Sequence, residues 1–279
     1  MSDRLAEVRA RIQSVRQLGQ VFNALRGMAA ARAQTARNQL VAVDAYAGSI
    51  AIAIGRALAM EPERPEPPHA DGRTGLVVFA AEQGFAGTFS ERIFAALGAA
   101  LTTDEVFLVG TRGADLAAQR SVKPFWTSAA ASHGAAAPKL ADRIADAFFL
   151  GIAAEKIVRM DVAFTSWATG RGFWVERRRL FPLDPKLLNL LAEGAPPLTQ
   201  ISSDSLLRNL AADYLHAQLC HAALHSFAAE NQARMEAMAA ARRQADSKLE
   251  RLCADERRVR QDEITAEIIE LSAGDAAVR

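Results

Sequence analysis

Apolar residues near the start of the chain recur in steps of three and four. Their spacing averages about 3.4 residues, with one stutter near Leu18, and this pattern predicts a coiled-coil helix that needs a partner. Gly19 and Gly27 interrupt the pattern, and each lowers helix stability by about 1 kcal/mol relative to alanine. Glycines inside the helix therefore indicate either close approach of another helix or local unwinding. The apolar residues of this pattern, which form the seam of the predicted coiled coil, are Leu5, Val8, Ile12, Val15, Leu18, Phe22, Leu25 and Ala29.

A second helical pattern occupies the C-terminal part of the chain. It opens at "SSDSLL", where Ser203 or Asp204 can cap a helix, and runs to Gly274 over about 70 residues, roughly 100 Å. Its first apolar face comprises Leu206, Leu210, Tyr214, Leu224 and Phe227. A later seam, interrupted by Arg242 and Glu256, comprises Met235, Met238, Ala245, Leu249, Leu252 and Val259, before the stripe re-phases to Ile264, Ile268 and Leu271. Because neither helix can bury its stripe alone, the two ends are predicted to pair as an antiparallel coiled coil.

The middle of the chain has a different pattern. All 10 prolines fall between Pro62 and Pro197, and short apolar runs there alternate with segments of helical spacing. The predicted strands are "GLVVFA", "EVFLVG", "KIVRMDVAFTSW" and "FWVERRRLFP", and the predicted helices are "FSERIFAALGAAL" and "APKLADRIADAFFLGIAAEK". This alternation predicts a Rossmann-like α/β domain with a mostly parallel sheet, inserted between the two coiled-coil helices.

The pattern predicts four segments. Residues 1–60 form the N-terminal coiled-coil helix, 61–74 a polar, proline-rich linker, 75–200 the α/β domain and 201–279 the C-terminal coiled-coil helix.

Charge and composition narrow the partners. The formal charge of +1 and the isoelectric point near 7.9 lack the basic excess that nucleic acid requires, so proteins are the expected partners. The longest weakly polar stretch, from Tyr46, has about 15 residues, short of the roughly 20 that span a bilayer, and no membrane insertion is predicted. Cys220 and Cys253 would lie about 50 Å apart on one helix, too far to bridge, which fits a reducing compartment.

No motif predicts catalysis, a cofactor or a metal. The turns "EQGFAGTF", "GTRGADL" and "ATGRGFW" lack the spacing of a phosphate loop or a dinucleotide fingerprint. In "HAQLCHAALH", His216 with Cys220 and His221 with His225 have zinc-chelating spacing. The two pairs point roughly 100° apart around a helix, however, which favours a polar, half-buried helix face over one shared metal.

Two charged segments can be interpreted either as solvated surface or as functional sites. The run from Glu176 to Arg179 lies at a strand end and is more typical of a solvated surface than of an anion site. The segment "RRQADSKLERLCADERRVRQDE" alternates charge densely, which is typical of an exposed helix with weak surface ion pairs. Such a surface also suits an interface that meets partners in several orientations.

Both helices together resemble the gamma subunit of F-type ATP synthases, the central rotor shaft. The segments that carry the resemblance are "EVRARIQSVRQLGQVFNALRGMAAAR", "AAENQARMEAMAAARRQADSKL" and, most specifically, "RQDEITAEIIELSAGDAA". The family loop Asp-Arg-Gly-Leu-Cys-Gly-Gly-Leu-Asn is similar to "AAEQGFAGTFSERI", but only two of its glycines, Gly84 and Gly87, are kept. This departure indicates a divergent bacterial branch.

The resemblance implies four site positions. Arg260, Gln261 and Thr265 match positions of the family that touch a loop of the catalytic subunit inside the head. Arg32 matches a basic position of the first helix that the family usually fills with lysine. Neither a catalytic residue nor a cofactor is implied.

The resemblance also implies a setting and a function. The chain would be a non-catalytic subunit that couples ion flow through the membrane c-ring to ATP synthesis or hydrolysis. Its partners would be the alpha and beta subunits of the head, the epsilon subunit and the c-ring, in a hetero-oligomer at the cytoplasmic face of the bacterial inner membrane. The alternative is an α/β enzyme or a scaffold protein with a coiled-coil arm.

Overall fold

The structure is a computed structural model that describes residues 2–60, 72–154, 157–183 and 198–277. Residues 61–71 of the predicted linker therefore lie outside the described residues. Two long helices enclose an α/β region in the sequence: α1 covers Ser2–Leu58 and α6 covers Ser203–Ala277. The strands are β1 Arg73–Phe79, β2 Glu105–Val109, β3 Trp126–Ser128, β4 Ile157–Ala168 and β5 Gly172–Phe181. The shorter helices are α2 Phe89–Leu97, α3 Ala100–Thr103, α4 Thr111–Gln119 and α5 Ala137–Ala153, with a 3-10 turn at Gly134–Ala136.

The five strands form one sheet in the order β3-β2-β1-β4-β5. The pairs β1–β2, β1–β4 and β2–β3 are parallel, and β4 pairs with β5 antiparallel. The four predicted strands and the mostly parallel sheet are confirmed. Sequence reasoning missed β3 and was wrong about "GTRGADL", most of which belongs to helix α4 rather than to a turn.

Buried residues on both faces explain the near-continuous apolar strands. Leu76 and Val78 of β1 pack with α2 and α4 on one face. Val77 and Phe79 point to the other face, where they share a core with α5, with Leu40 of α1 and with α6. The sheet therefore has short helices on one side, and α5 with parts of the two long helices on the other.

The described residues form two compact units. The first joins the part of α1 up to Ala29 with the part of α6 from Met235 onward; the second comprises the residues from Ala30 to Arg234. In the first unit Arg9 Nε lies 2.8 Å from Glu256 Oε1, while Gly19, later in α1, contacts Arg242, earlier in α6. The pair is therefore antiparallel, and the predicted coiled coil is confirmed.

The structure resolves the interruption at Gly19. The prediction that Leu18 belongs to the seam is wrong, because Leu18 is 51% exposed. Gly19, which is buried, occupies the seam position instead. A Cβ at Gly19 would lie 2.5 Å from Nη1 of Arg242, so the missing side chain admits the guanidinium. Of the two polar residues that interrupt the apolar seam of α6, Glu256 pairs with Arg9 of α1, whereas Arg242 pairs with Asp246 of α6 and packs over Gly19 of α1. The helix runs through Gly19 without unwinding.

In the second unit α6 is buried almost all round from Leu215 to Arg234, because α1 covers one side and the sheet the other. The start of α6 also differs from the sequence prediction. Ser202, rather than Ser203 or Asp204, caps the helix: its Oγ accepts a hydrogen bond from the backbone N–H of Ser205 at 3.4 Å.

Among the described residues one helix, α1 over Arg4–Leu58, is long enough to cross a membrane and contains an 18-residue window with a mean hydropathy of 1.4. In the second unit its residues Ala47, Ile50 and Ile54 are buried with Ala217 of α6. Packing between helices therefore gives this apolar stretch a structural role.

Candidate functional site

The loop after β1 lies at the carboxyl edge of the sheet, next to the point where the strand order reverses. In open α/β sheets this crevice between neighbouring strands is the usual place for a ligand. Here α6 fills it: Ala229 packs with Ala81, Ala86 and Phe89 in one apolar cluster. In addition, Ser226 Oγ donates a hydrogen bond to the carbonyl oxygen of Phe79 at 3.4 Å. A helix therefore occupies the position where an α/β enzyme would hold its substrate.

Glu230 and Arg234 of α6 form a buried ion pair beneath this loop. Arg234 Nη2 lies 2.5 Å from Glu230 Oε1, and the side chains are only 9% and 6% exposed. The Glu230 carboxylate accepts the backbone N–H groups of Glu82 at 3.2 Å and Gln83 at 3.1 Å. Arg234 donates to the carbonyl oxygens of Gly84 at 3.2 Å and Gln83 at 3.4 Å. We call this pair the loop clamp, because it holds both the donors and the acceptors of residues 82–84.

Glu82 ties the same loop to its neighbours. Its carboxylate accepts hydrogen bonds from the backbone N–H of Thr111 at 3.0 Å, from Thr111 Oγ1 at 2.7 Å and from the backbone N–H of Ala130 at 2.7 Å. Because Thr111 begins α4, the negative charge also lies at the positive end of that helix. Glu82 thus joins the loops that follow β1, β2 and β3.

The loop held by the loop clamp and by Glu82 exposes one aromatic side chain. Phe85 is 69% exposed and has a φ of 62°, a conformation that costs of order 1–3 kcal/mol in a non-glycine residue. Beside the loop is a cleft of about 150 Å³ lined by Phe85, Ser90, Arg112 and Asp115, among others. This volume is below the roughly 300–1,000 Å³ typical of small-molecule sites. The geometry therefore fits a rigid contact surface better than a substrate pocket.

The three residues matched to the head contact lie together on the surface of α6. Arg260, Gln261 and Thr265 are all exposed, and Thr265 Oγ1 donates a hydrogen bond to the Gln261 carbonyl at 2.9 Å. Ile264 and Ile268 are 48% and 57% exposed at positions one and two turns beyond Arg260. We call these five residues the α6 tip surface. It combines a cation, an amide, a hydroxyl and exposed apolar side chains, as contact surfaces between proteins do.

Arg32 belongs to the second unit. It is exposed on α1 and lines a small recess together with Glu82, Gln83, Glu230 and Arg234. Of the four site positions drawn from the sequence, Arg32 therefore lies at the loop clamp, and the other three belong to the α6 tip surface.

Sequence reasoning missed the loop clamp itself. The signal available was a glutamate and an arginine at i and i+4 in "AAENQARM", within a segment whose other polar residues are also buried. Pairs at this spacing are usually weak surface contacts, and only burial makes this one different.

The histidines and the cysteine of the run "HAQLCHAALH" in α6 contact different parts of the structure. His216 Nδ1 lies 2.9 Å from Asp142 Oδ1, and Cys220 is buried. Burial, followed by the charge of Asp142, raises the pKa of the Cys220 thiol to about 12, so it is not a thiolate at neutral pH. Among the described residues no group of three or more histidine, cysteine or acidic side chains is arranged to hold a metal ion.

Comparison with known proteins gives the family. A model of the ATP synthase family matches residues 4–278. The ATP synthase gamma chain of Geotalea daltonii is 24% identical over 99% of both chains, and that of Frankia casuarinae is 27% identical over 98% of this chain and 97% of its own.

Solved structures agree in fold. A chain of the Euglena gracilis mitochondrial ATP synthase, in a structure of its OSCP, F1 and c-ring, covers 100% of this chain with a TM-score of 0.70 at 10% identity. A chain of the rotor of the same enzyme covers 95% of this chain with a TM-score of 0.64. Because the family model matches residues 4–278 and the matched relatives are gamma chains, the chain belongs to the gamma-subunit family of ATP synthases.

Proposed function

We propose that this chain is the central rotor shaft of an F-type ATP synthase. The observation that carries the proposal is the antiparallel pair of long helices with an α/β domain inserted between them, whose ligand crevice is filled by α6. A chain built in this way offers a stiff element and a contact surface rather than a catalytic pocket. Related chains belong to structures described as the rotor and as the central stalk with the c-ring.

The shaft would turn inside a ring of alpha and beta subunits. Its asymmetry would take each catalytic site in turn through states of different nucleotide affinity, because each state makes different contacts with the rotor. The mixed charges along α6 suit this task, since a shaft must not bind too tightly in any one orientation.

The α/β domain would contact the membrane c-ring and the epsilon subunit. Ion flow through the ring would then turn the chain at the cytoplasmic face of the bacterial inner membrane, where it is held in a hetero-oligomer without entering the bilayer. Nucleotide binding and chemistry belong to other subunits.

The α6 tip surface would touch a loop of the catalytic subunit. Arg260 would provide a charge-assisted hydrogen bond, and Gln261 and Thr265 would provide neutral ones. Arg32, beside the loop clamp, would supply a second basic contact on α1.

A mutational experiment tests this assignment. We expect Arg260→Ala or Gln261→Ala to lower ATP-driven ion pumping by the assembled complex, by about tenfold or more for Arg260, because a hydrogen bond to a charged group contributes about 1.5–3 kcal/mol. The chain should stay folded, because both side chains are exposed. Pumping and ATP hydrolysis would be measured together in membrane vesicles.

Arg258→Ala is the matched control, since Arg258 is exposed on the same helix but about 200° around it from Arg260. Its pair with Asp255, at 3.4 Å, is a weak surface contact. Normal pumping in the Arg258, Arg260 and Gln261 variants alike would contradict the proposed contact. Failure of the tagged chain to co-purify with catalytic and ring subunits would contradict the rotor function itself.

A further inference from the structure

Two histidines of α6 lie where α1, α6 and the sheet meet in the second unit. The ring centroids of His221 and His225 are 4.3 Å apart, and His221 packs edge-on against Phe164 of β4. From α1, Asp44 Oδ1 lies 3.3 Å from His221 Nε2. From β4, Ser166 Oγ lies 3.3 Å from His225 Nδ1. One contact of each histidine therefore joins α6 to a different element.

Hydrogen-bonding logic gives the tautomers at neutral pH. The Asp44 carboxylate can only accept a proton, so the Nε2 that faces it carries the ring proton and Nδ1 of His221 carries none. That Nδ1 is buried and has no hydrogen-bond partner. A proton added there would have no acceptor in a side chain that is only 10% exposed.

The second histidine ends a relay to β5. Glu176 accepts hydrogen bonds from Ser166, from Trp174 and from Arg178, whose Nε lies 3.0 Å from Glu176 Oε2. Since the Ser166 hydroxyl donates to Glu176, its oxygen accepts from Nδ1–H of His225. The charged groups that face the pair are therefore Asp44 of α1 and Glu176 and Arg178 of β5.

Electrostatics agree with this geometry. Burial, reinforced by the charge of a protonated His225, lowers the pKa of His221 to about 4, against the opposing influence of Asp44. Burial likewise lowers the pKa of His225. Burial raises the pKa of Glu176, but hydrogen bonds from Arg178 and Ser166 outweigh it and keep the carboxylate ionised. Two imidazolium rings this close would repel each other, so the pair resists double protonation.

We propose that His221 and His225 form a proton-operated latch, which holds α1 and α6 to strands β4 and β5 at neutral pH and loosens that junction when the surroundings acidify. The proposal does not depend on the rotor function. The neutral rings fill the junction, where His225 hydrogen-bonds to Ser166 and His221 Nε2 faces Asp44. A proton on His221 Nδ1 would instead bury an N–H without an acceptor next to Phe164 and His225, and opening the junction would expose it to water.

The sign of the effect follows from the two states of His221. In the unfolded chain its pKa is near 6.5, whereas in the folded chain it is about 4. Above about pH 6.5 both states are neutral, and stability is at its full value. As the pH falls from 6.5 towards 4, the unfolded chain takes up a proton that the folded chain refuses, so stability is lost.

Urea unfolding of the full chain tests the latch, because all 3 tryptophans, Trp126, Trp167 and Trp174, lie in the sheet and report its unfolding by fluorescence. Between about pH 7.5 and about pH 5, the unfolding equilibrium constant of the wild type should rise about 30-fold more than that of His221→Phe. His133→Gln, which changes an exposed histidine, is the control and should follow the wild type. An equal pH dependence in wild type and His221→Phe would overturn the proposal.

A second measurement needs no variant and separates the latch from a general loss of stability. Nuclear magnetic resonance of the full chain with labelled histidine should show two side chains that stay neutral below pH 6.5. Hydrogen exchange, corrected for its own pH dependence, should show that the amides of α1 around Asp44 lose protection at pH 5 before the rest of the sheet does. Titration of all five histidines at or above pH 6.5, or unchanged protection near Asp44, would refute the latch.

Discussion

Replacing Arg234 by alanine should lower the free energy of unfolding by about 3–5 kcal/mol. The change removes the partner of Glu230 and leaves a carboxylate that is 6% exposed without its counter-charge. It also removes the donors to the carbonyl oxygens of Gln83 and Gly84. The loss is much larger than for an ordinary ion pair, because the remaining charge stays out of water.

Urea titration followed by tryptophan fluorescence at neutral pH would measure this loss. Arg208→Ala is the matched control: Arg208 pairs with Asp204 on the same helix at the same i, i+4 spacing, but the two side chains are 71% and 72% exposed. That variant should lose less than about 1 kcal/mol. A similar small loss in both variants would mean that the loop clamp does not depend on its charge pair.

Arg234→Ala also tests whether the loop clamp sets the conformation of the loop. If it sets the conformation of residues 82–87, Arg234→Ala at a temperature where the chain remains folded should increase proteolysis near the exposed Phe85. Mutation of Phe85 itself, by contrast, should leave stability nearly unchanged. The comparison separates the residues that hold the loop from the one that the loop presents.

The rod-like pairing of the chain ends could be predicted because periodicity is a local property. Stripes of three- and four-residue spacing showed two helices that each needed a partner, and proline placement showed where they end. The choice between Leu18 and Gly19 was wrong for a physical reason. Hydrophobicity favours leucine at a seam, but the seam position opposite Arg242 must be empty for the guanidinium to fit. Only the partner helix contains that information.

The strands of the α/β domain were also visible locally, whereas two short elements were not. Strand β3 has three residues, Trp126–Ser128, too few for a pattern of alternation. Helix α4 begins with Thr-Arg-Gly, and its glycine suggested a turn. Gly113 in fact lies where a Cβ would approach the Cβ of Ala80, so the glycine is needed for helix–strand packing rather than for chain reversal.

The loop clamp could not be predicted because its effect comes from burial by three separate parts of the chain. Glu230 and Arg234 resemble Asp204 and Arg208 in sequence spacing, yet only the first pair lies between α1, the sheet and a loop. Burial of this kind is a product of the tertiary fold. The exposed α6 tip surface shows the opposite case, since Arg260, Gln261 and Thr265 were found by resemblance alone and no local pattern distinguishes them from other exposed residues.

Replacing Gly110 by alanine should destabilise the α/β domain by about 3 kcal/mol or more. Gly110 links β2 to α4 with a φ of 115°, a conformation that side chains rarely adopt. A Cβ there would lie 2.5 Å from the carbonyl oxygen of Ala80 and 2.7 Å from that of Ala81. Backbone atoms cannot move aside cheaply, because Ala80 N–H is bonded to Val109 and the Ala81 oxygen accepts from Gly113.

The control is Gly48→Ala, in the same unit, where the sign should reverse. Gly48 is exposed in the interior of α1, and a Cβ there would meet nothing within 4 Å. Alanine should therefore raise the free energy of unfolding by about 0.5–1 kcal/mol through helix propensity alone. Both variants would be compared with the wild type by urea titration and by the melting temperature. Equal effects of the two substitutions would show that backbone conformation and the close approach of Ala80 do not govern the β2–α4 junction.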